Sequence, residues 1–221
     1  MIPTNQLPRN VAGDRWEVIT YEQRLNQDSR WALSEGSVFF EGQGAVQQAM
    51  QRIARRLNEL GIPYAIVGGM ALFQHGFRRF TEDVDILVTP QGLALIHEHL
   101  DGRGYLTPFE GSRNLRDTEL GVKIEFLVTG GYPGDGKPKP VSFPDPAMAV
   151  VELDGRKYIP LVTLIELKLA SGMTNTGRLK DLADVQELIK ALRLPIDFED
   201  QLVPYVRDKF RELWVPEDRV E

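Results

Sequence analysis

Residues 64–88 read YAIVGGMALFQHGFRRFTEDVDILV, and the rest of the chain is best placed around this stretch. Tyr64-Ala65-Ile66-Val67 is a short apolar run of the kind that forms a buried strand. Gly68-Gly69 breaks the run, residues 70–75 make one or two helical turns, and Gly76 ends them. A second strand is expected at 83–88. Side chains alternate along a strand, so Val84, Ile86 and Val88 share one face while Asp83 and Asp85 share the other. Two residues of rise separate those carboxylates by about 6.6 Å along the backbone. Two bare carboxylates that close repel by about 1–4 kcal/mol, depending on the effective dielectric, and a divalent cation reverses the sign.

A third acid follows the same logic. In residues 122–128 the apolar Val122, Ile124, Phe126 and Val128 alternate with Lys123, Glu125 and Leu127, so Glu125 points away from the apolar face as the two aspartates do. Three hard oxygen donors from two strands suit Mg²⁺ or Mn²⁺, which retain positions for water and substrate phosphates. Glycines at a strand-to-helix turn, here Gly68 and Gly69, let backbone N–H groups approach a phosphate. Arg78, Arg79 and Thr81 lie between that turn and the aspartates and can hydrogen-bond a phosphate, Arg bidentately. Each element alone has a bland reading: a solvated acidic strand face, an ordinary turn, a surface acid. Their combination is far more specific.

Outward from this centre, Val46, Met50, Ile53, Ala54, Leu57 and Leu60 fall at helical spacing before Gly61, and residues 90–100 form a further helix. Gln51, Arg52, Arg55 and Arg56 lie on the far side of the first of these, as a solvated face. A short strand is expected at 105–108. Residues 130–146 (GGYPGDGKPKPVSFPDP) are saturated with Gly and Pro and exclude regular structure; we read them as a connector rather than a flap over the site. Residues 150–161 read as a hairpin around Asp154-Gly155. Thr163 caps a helix reaching about 171, a second helix runs from 178 to 192, and an amphipathic stretch containing Pro204 extends to 214. Residues 1–42 lack a sustained period and are read as an irregular, loosely packed arm, with 15–22 either strand or short helix. The expected organisation is therefore an arm (1–42), an α/β core with a mixed sheet flanked by helices (43–146), and a hairpin plus helical C-terminal part (147–221).

Composition excludes several chemistries. The 221 residues carry 26 Lys+Arg against 32 Asp+Glu, a net charge of −6, which argues against a strongly basic nucleic-acid binder. With no Cys there is no disulfide framework, no zinc–thiolate site and no thiol nucleophile, and three His make zinc catalysis a poor fit. His97 and His99 are two apart on a helix and face different ways, and His75 ends its helix as a cap. No P-loop pattern occurs. No apolar stretch approaches the ~20 residues of a membrane span, and no basic-then-apolar leader is present, so a cytoplasmic, membrane-free protein is expected.

These residues resemble the nucleotidyltransferase superfamily, whose signature is an apolar strand, Gly-Gly or Gly-Ser, a gap, then Asp-x-Asp or Asp-x-Glu, with a third acid on a later strand. The chain looks most like the AbiEii-type and related minimal bacterial nucleotidyltransferases, some of them toxins of toxin–antitoxin pairs. It carries Gly68-Gly69-Met70-Ala71-Leu72, then Arg79-Phe80-Thr81-Glu82-Asp83-Val84-Asp85, then Leu167-Lys168-Leu169-Ala170 and Arg178-Leu179-Lys180-Asp181-Leu182-Ala183-Asp184. The resemblance spans roughly residues 45–192. It implies that Asp83, Asp85 and Glu125 hold Mg²⁺ or Mn²⁺, that Glu125 helps activate the attacking group, and that Gly68 and Gly69 seat the triphosphate of an NTP. Lys168 and Asp184 then belong to a helical half of the nucleotide site, with Arg178 and Asp181 beside them. RNA, a protein or a small molecule is the implied acceptor, and an antitoxin an implied partner. A nucleotide-binding module without turnover and an antibiotic nucleotidyltransferase are the alternatives.

Two departures from the family pattern stand out. Met70 occupies a position where Ser is common, and the third acid is Glu rather than Asp. The C-terminal motif also has a bland reading. Asp181 and Asp184 are neighbours at i,i+3, and Arg178–Asp181 and Lys180–Asp184 pairs on a solvated face would each contribute only a few tenths of a kcal/mol, about the usual worth of exposed pairs. Lys168, in an otherwise apolar helix, leans toward function.

Overall fold

The computed structural model describes residues 19–214. Helices α1 (Tyr21–Gln27), α2 (Ser29–Phe40) and α3 (Ala45–Glu59) precede strand β1 (Tyr64–Ile66), helix α4 (Gly68–Gln74), strand β2 (Asp83–Val88) and helix α5 (Pro90–Leu100). Strands β3 (Tyr105–Leu106), β4 (Leu115–Asp117), β5 (Lys123–Val128), β6 (Val151–Leu153) and β7 (Arg156–Tyr158) follow. The chain then closes with α6 (Leu161–Thr174), α7 (Leu179–Leu192) and α8 (Pro204–Leu213). The seven strands make one mixed sheet in the order β3-β4-β5-β2-β1-β7-β6. In it β2 runs antiparallel to β1 and parallel to β5. The expected mixed sheet flanked by helices, with a helical C-terminal part, is what the chain forms.

Hydrophobic spacing accounts for most of this. The apolar face of α3 buries Val46, Ala49, Met50, Ile53, Ala54 and Leu57, and α3 packs on β2. Ile53 and Leu57 are wholly buried, a gain of about 1.5–3 kcal/mol each. Tyr64, Ala65 and Ile66 are all buried, as a strand in mid-sheet requires. The Asp154-Gly155 turn joins β6 to β7 with both residues at positive φ, which is the two-residue hairpin geometry.

Several expectations need correction. Residues 19–42 are not an irregular arm. Thr20 and Gln23 form a capping box that starts α1, and the Asp28 side chain caps α2. Tyr21 and Phe39 carry these helices into the main core, so their packing is tight. Residues 15–18 lie outside the described region, and Tyr21 and Glu22 open α1. Helix α6 begins at Leu161 with Pro160 at its N-cap, so Thr163 sits inside the first turn and caps nothing. Pro204 occupies the first turn of α8, where its missing N–H costs no hydrogen bond. Strand β4 was not expected: three residues are too few to show a period. No helix among the described residues is long and apolar enough to cross a membrane.

Candidate active site

The parallel pairing of β2 with β5 is the decisive geometry. Its register sets Asp85 opposite Glu125 and Asp83 opposite Lys123, so the alternation read separately in each strand becomes one shared face. One carboxylate oxygen from each of Asp83, Asp85 and Glu125 lies within 4.8 Å of the others. Asp83 accepts a hydrogen bond from the Thr81 hydroxyl (2.9 Å), and Glu125 pairs with Lys123, two residues back on the same face. Burial at the pocket floor, with Asp83 and Glu125 alongside, pushes the Asp85 carboxyl up from 3.8 to about 7, against the opposing charges of Lys168 and Arg178.

The glycines make room for this cluster. Gly68 has φ +59°, and a Cβ placed there would lie 1.8 Å from Asp85 Oδ2. A Cβ on Gly69 would lie 2.7 Å from the Thr81 hydroxyl oxygen. Any side chain at either position would therefore displace the groups that set the acids. Met70, by contrast, turns into the core and is 3% exposed, so the departure from Ser leaves no polar group at the site. An all-oxygen donor set of three carboxylates, with one oxygen of each within 4.8 Å of the others, fits a hard divalent cation such as Mg²⁺ or Mn²⁺.

These acids open into a cavity of about 290 Å³. Of the residues singled out in the sequence, Gly68, Gly69, Arg79, Thr81, Asp83, Asp85, Glu125, Lys168, Arg178 and Asp181 line it, brought together from α4, the segment between α4 and β2, β2, β5, α6, and the N-cap and first turn of α7. Asp184 does not line it. Its carboxylate is 3% exposed and accepts two hydrogen bonds from Arg79, through Nε (2.7 Å) and Nη2 (2.9 Å), and one from Lys168 Nζ (2.7 Å). Burial works against its charge, yet Arg79 and Lys168 hold it below the ordinary carboxylate value. Lys168 also donates to Asp181 Oδ1 (2.9 Å), whose other oxygen accepts from the Ser171 hydroxyl (2.6 Å). The Arg178–Asp181 and Lys180–Asp184 pairs of a solvated face are thus replaced by ion pairs that cross between elements. Arg178 and Lys180 remain exposed at the cavity, and neither makes an ion pair among the described residues.

Sequence reading missed one wall. Pro133, Gly134 and Phe143 line the same cavity, so residues 130–146 are more than a connector. Nothing local marks them, because their placement depends on docking against α6. The Lys123–Glu125 pair was legible, since residues two apart in a strand share a face. His75 is indeed the C-cap of α4, its ring Nε2 2.8 Å from the Ile159 carbonyl oxygen.

No family model matches the chain, and no curated protein matches it in sequence. Among solved structures the chain has distant similarities. The chain is similar to ANT(2″)-Ia, solved in complex with adenylyl-2″-tobramycin, at 13% identity and a TM-score of 0.48 over 75% of this chain and 96% of that one. It is also similar to an antigenic nucleotidyltransferase-like protein from Paracoccidioides brasiliensis, at 16% identity and a TM-score of 0.43 over 66% of this chain and 75% of that one.

Proposed function

We propose that this chain is a divalent-metal-dependent nucleotidyltransferase that moves an NMP from an NTP to a hydroxyl or phosphate acceptor, releasing pyrophosphate. The observation that carries the reading is the convergence of Asp83, Asp85 and Glu125 within 4.8 Å, on the shared face of two parallel strands and beside the glycine gap. Asp83 and Asp85 would hold the cation, with Glu125 completing the set. Mg²⁺ or Mn²⁺ bound there supplies charge neutralisation for a polyphosphate.

The chain's own groups account for the remaining work. Gly68 and Gly69 let Asp85 and Thr81 pack directly against the turn, and all four residues line the cavity that would take the triphosphate. Arg178 and Lys180, exposed at the cavity, face its negative charge. Glu125 would take the proton as the acceptor oxygen attacks the α-phosphorus and the bond to the bridging oxygen of the departing pyrophosphate breaks. Thr81 orients Asp83 through its hydroxyl. Lys168, Asp181, Asp184 and Arg79 hold the helical wall, and all but Asp184 line the cavity itself. Positioning and charge neutralisation supply the rate.

Among acceptors, RNA or a protein fits a toxin of the AbiEii-like kind with an antitoxin partner, and a small molecule fits an antibiotic-modifying enzyme. A second reading, a nucleotide-binding module without turnover, is favoured by one observation: Lys123 already occupies Glu125, the proposed proton acceptor. Incubation with α-³²P-labelled NTPs, Mg²⁺ and bulk RNA or lysate protein separates the two. Label transfer and pyrophosphate release, both lost in Asp83→Ala, support turnover. Metal-dependent NTP binding with no pyrophosphate supports the module, and no NTP binding at all overturns both. Growth arrest on expression that disappears in Asp83→Ala identifies a toxin.

A further inference from the structure

We infer that Phe143 is the aromatic wall of a nucleobase subsite, carried on a loop whose own contacts hold it against the cavity; this rests on the nucleotide reading above. Residues 130–146 contain no helix or strand, yet their backbone is tied down at three places. Next to β5, the Gly130 N–H donates to the Phe143 carbonyl and the Phe143 N–H donates to the Gly131 carbonyl, each at 2.8 Å. In the middle, the buried Lys139 ammonium binds the Pro133 carbonyl, pairs with Asp135, and donates to the Thr174 hydroxyl at the end of α6. Beside it, the Asn175 side-chain amide donates to the Gly134 carbonyl, and Gly134 lies so close to α6 that a Cβ would be 2.7 Å from the Ser171 carbonyl oxygen.

The result is a fixed place for one ring. Phe143 rests on Gly131, where an added Cβ would come within 3.2 Å of it, and stays half-buried where it lines the cavity. Leu127 lies two residues beyond Glu125 on the same face of β5, so apolar lining begins one side-chain step from the acids. With Leu164 it continues that lining. A cavity lined both by carboxylates that suit a metal-bound polyphosphate and by a half-buried aromatic ring with aliphatic neighbours matches the two kinds of surface a nucleotide presents. Stacking is tolerant of base identity because every base offers a π-face.

The test is isothermal titration of wild type, Phe143→Ala and Phe143→Tyr with each of the four NTPs and with inorganic tripolyphosphate, all in Mg²⁺. For every NTP that binds wild type, Phe143→Ala should weaken binding by about ten-fold or more, the alanine-substitution cost of one base–aromatic stack. Phe143→Tyr should stay near wild type, and tripolyphosphate affinity should be the same in all three proteins. That last measurement also reports whether the variants are folded. Unchanged NTP affinity in Phe143→Ala overturns the subsite and leaves the nucleotide reading standing, as does an equal loss for tripolyphosphate or a loss in Phe143→Tyr as large as in Phe143→Ala. If wild type binds no NTP, the nucleotide reading falls and takes the subsite with it.

Discussion

On the strand wall of the cavity, Asp83, Asp85 and Glu125 gather within 4.8 Å, with one direct cationic partner among the described residues, Lys123, and one hydroxyl, Thr81. On the helix wall, Lys168 and Arg79 face Asp181 and Asp184, two cations against two anions. Both walls hold partly or fully buried charge, but only the helix wall balances it. The strand wall keeps an acid whose ionisation is opposed by its surroundings, which folding alone would not favour. The helix wall joins α6, α7 and the segment before β2 through contacts that need no ligand. On the proposed function, the unbalanced charge is where the cation would bind, and the balanced charge is the frame beside it.

The largest expected difference between the walls is in turnover. Asp85→Asn should cut label transfer by at least about a thousand-fold, about 4 kcal/mol of barrier. The same change should raise the metal-free melting temperature, because it removes a charge that repels its neighbours. A fall in that melting temperature would show the trio to be a stabilising cluster, against the contrast drawn here.

Asp184→Ala should do the opposite and cost about 3–5 kcal/mol of stability in urea unfolding, since it leaves Lys168 and Arg79 without their shared partner. A loss below about 1 kcal/mol would mean that the helix wall is not a clamp.

The pH response separates the walls next. Asp85 ionises near 3.8 when unfolded and at about 7 when folded, so the native state retains a proton that the unfolded chain gives up. Metal-free stability should therefore fall as pH rises from about 4 to about 7, and saturating Mg²⁺ should flatten that slope. Asp184 runs the other way: its folded value is lowered, so its contribution is present at neutral pH and is lost as pH falls below the ordinary carboxylate value and through the folded one. Melting curves between about pH 4.5 and 8, with and without Mg²⁺, read Asp85, and their extension into acid below the ordinary carboxylate range reads Asp184. The smallest effect belongs to the exposed Arg56–Glu59 pair, where Arg56→Ala should change stability by less than about 0.5 kcal/mol by the same urea assay.

Legibility followed the range of the physics. Asp83–Val88 forms as expected because period-two alternation bounded by polar residues is a local signal. The acid pair and Glu125 were visible for the same reason, each within its own strand. The helices of residues 19–42 were missed because short capped helices show little periodicity, although the capping residues Thr20, Gln23 and Asp28 were there to be read. Asp184 was singled out by the family resemblance alone, and its pairing with Arg79 spans 105 residues of chain.

From the order of residues alone came the strand faces that carry the acids, the glycine gap beside them, the hairpin at Asp154-Gly155 and the apolar stripe of α3, since each follows from backbone geometry over a few residues. Folding in three dimensions supplied the β2–β5 register that merges two acidic faces into one, the ion pairs that close the helix wall, and the docking of residues 130–146 that brings Phe143 to the cavity. Those depend on which distant surfaces bury each other. No local pattern encodes that, because the free energy of such contacts belongs to pairs of segments and to neither segment separately.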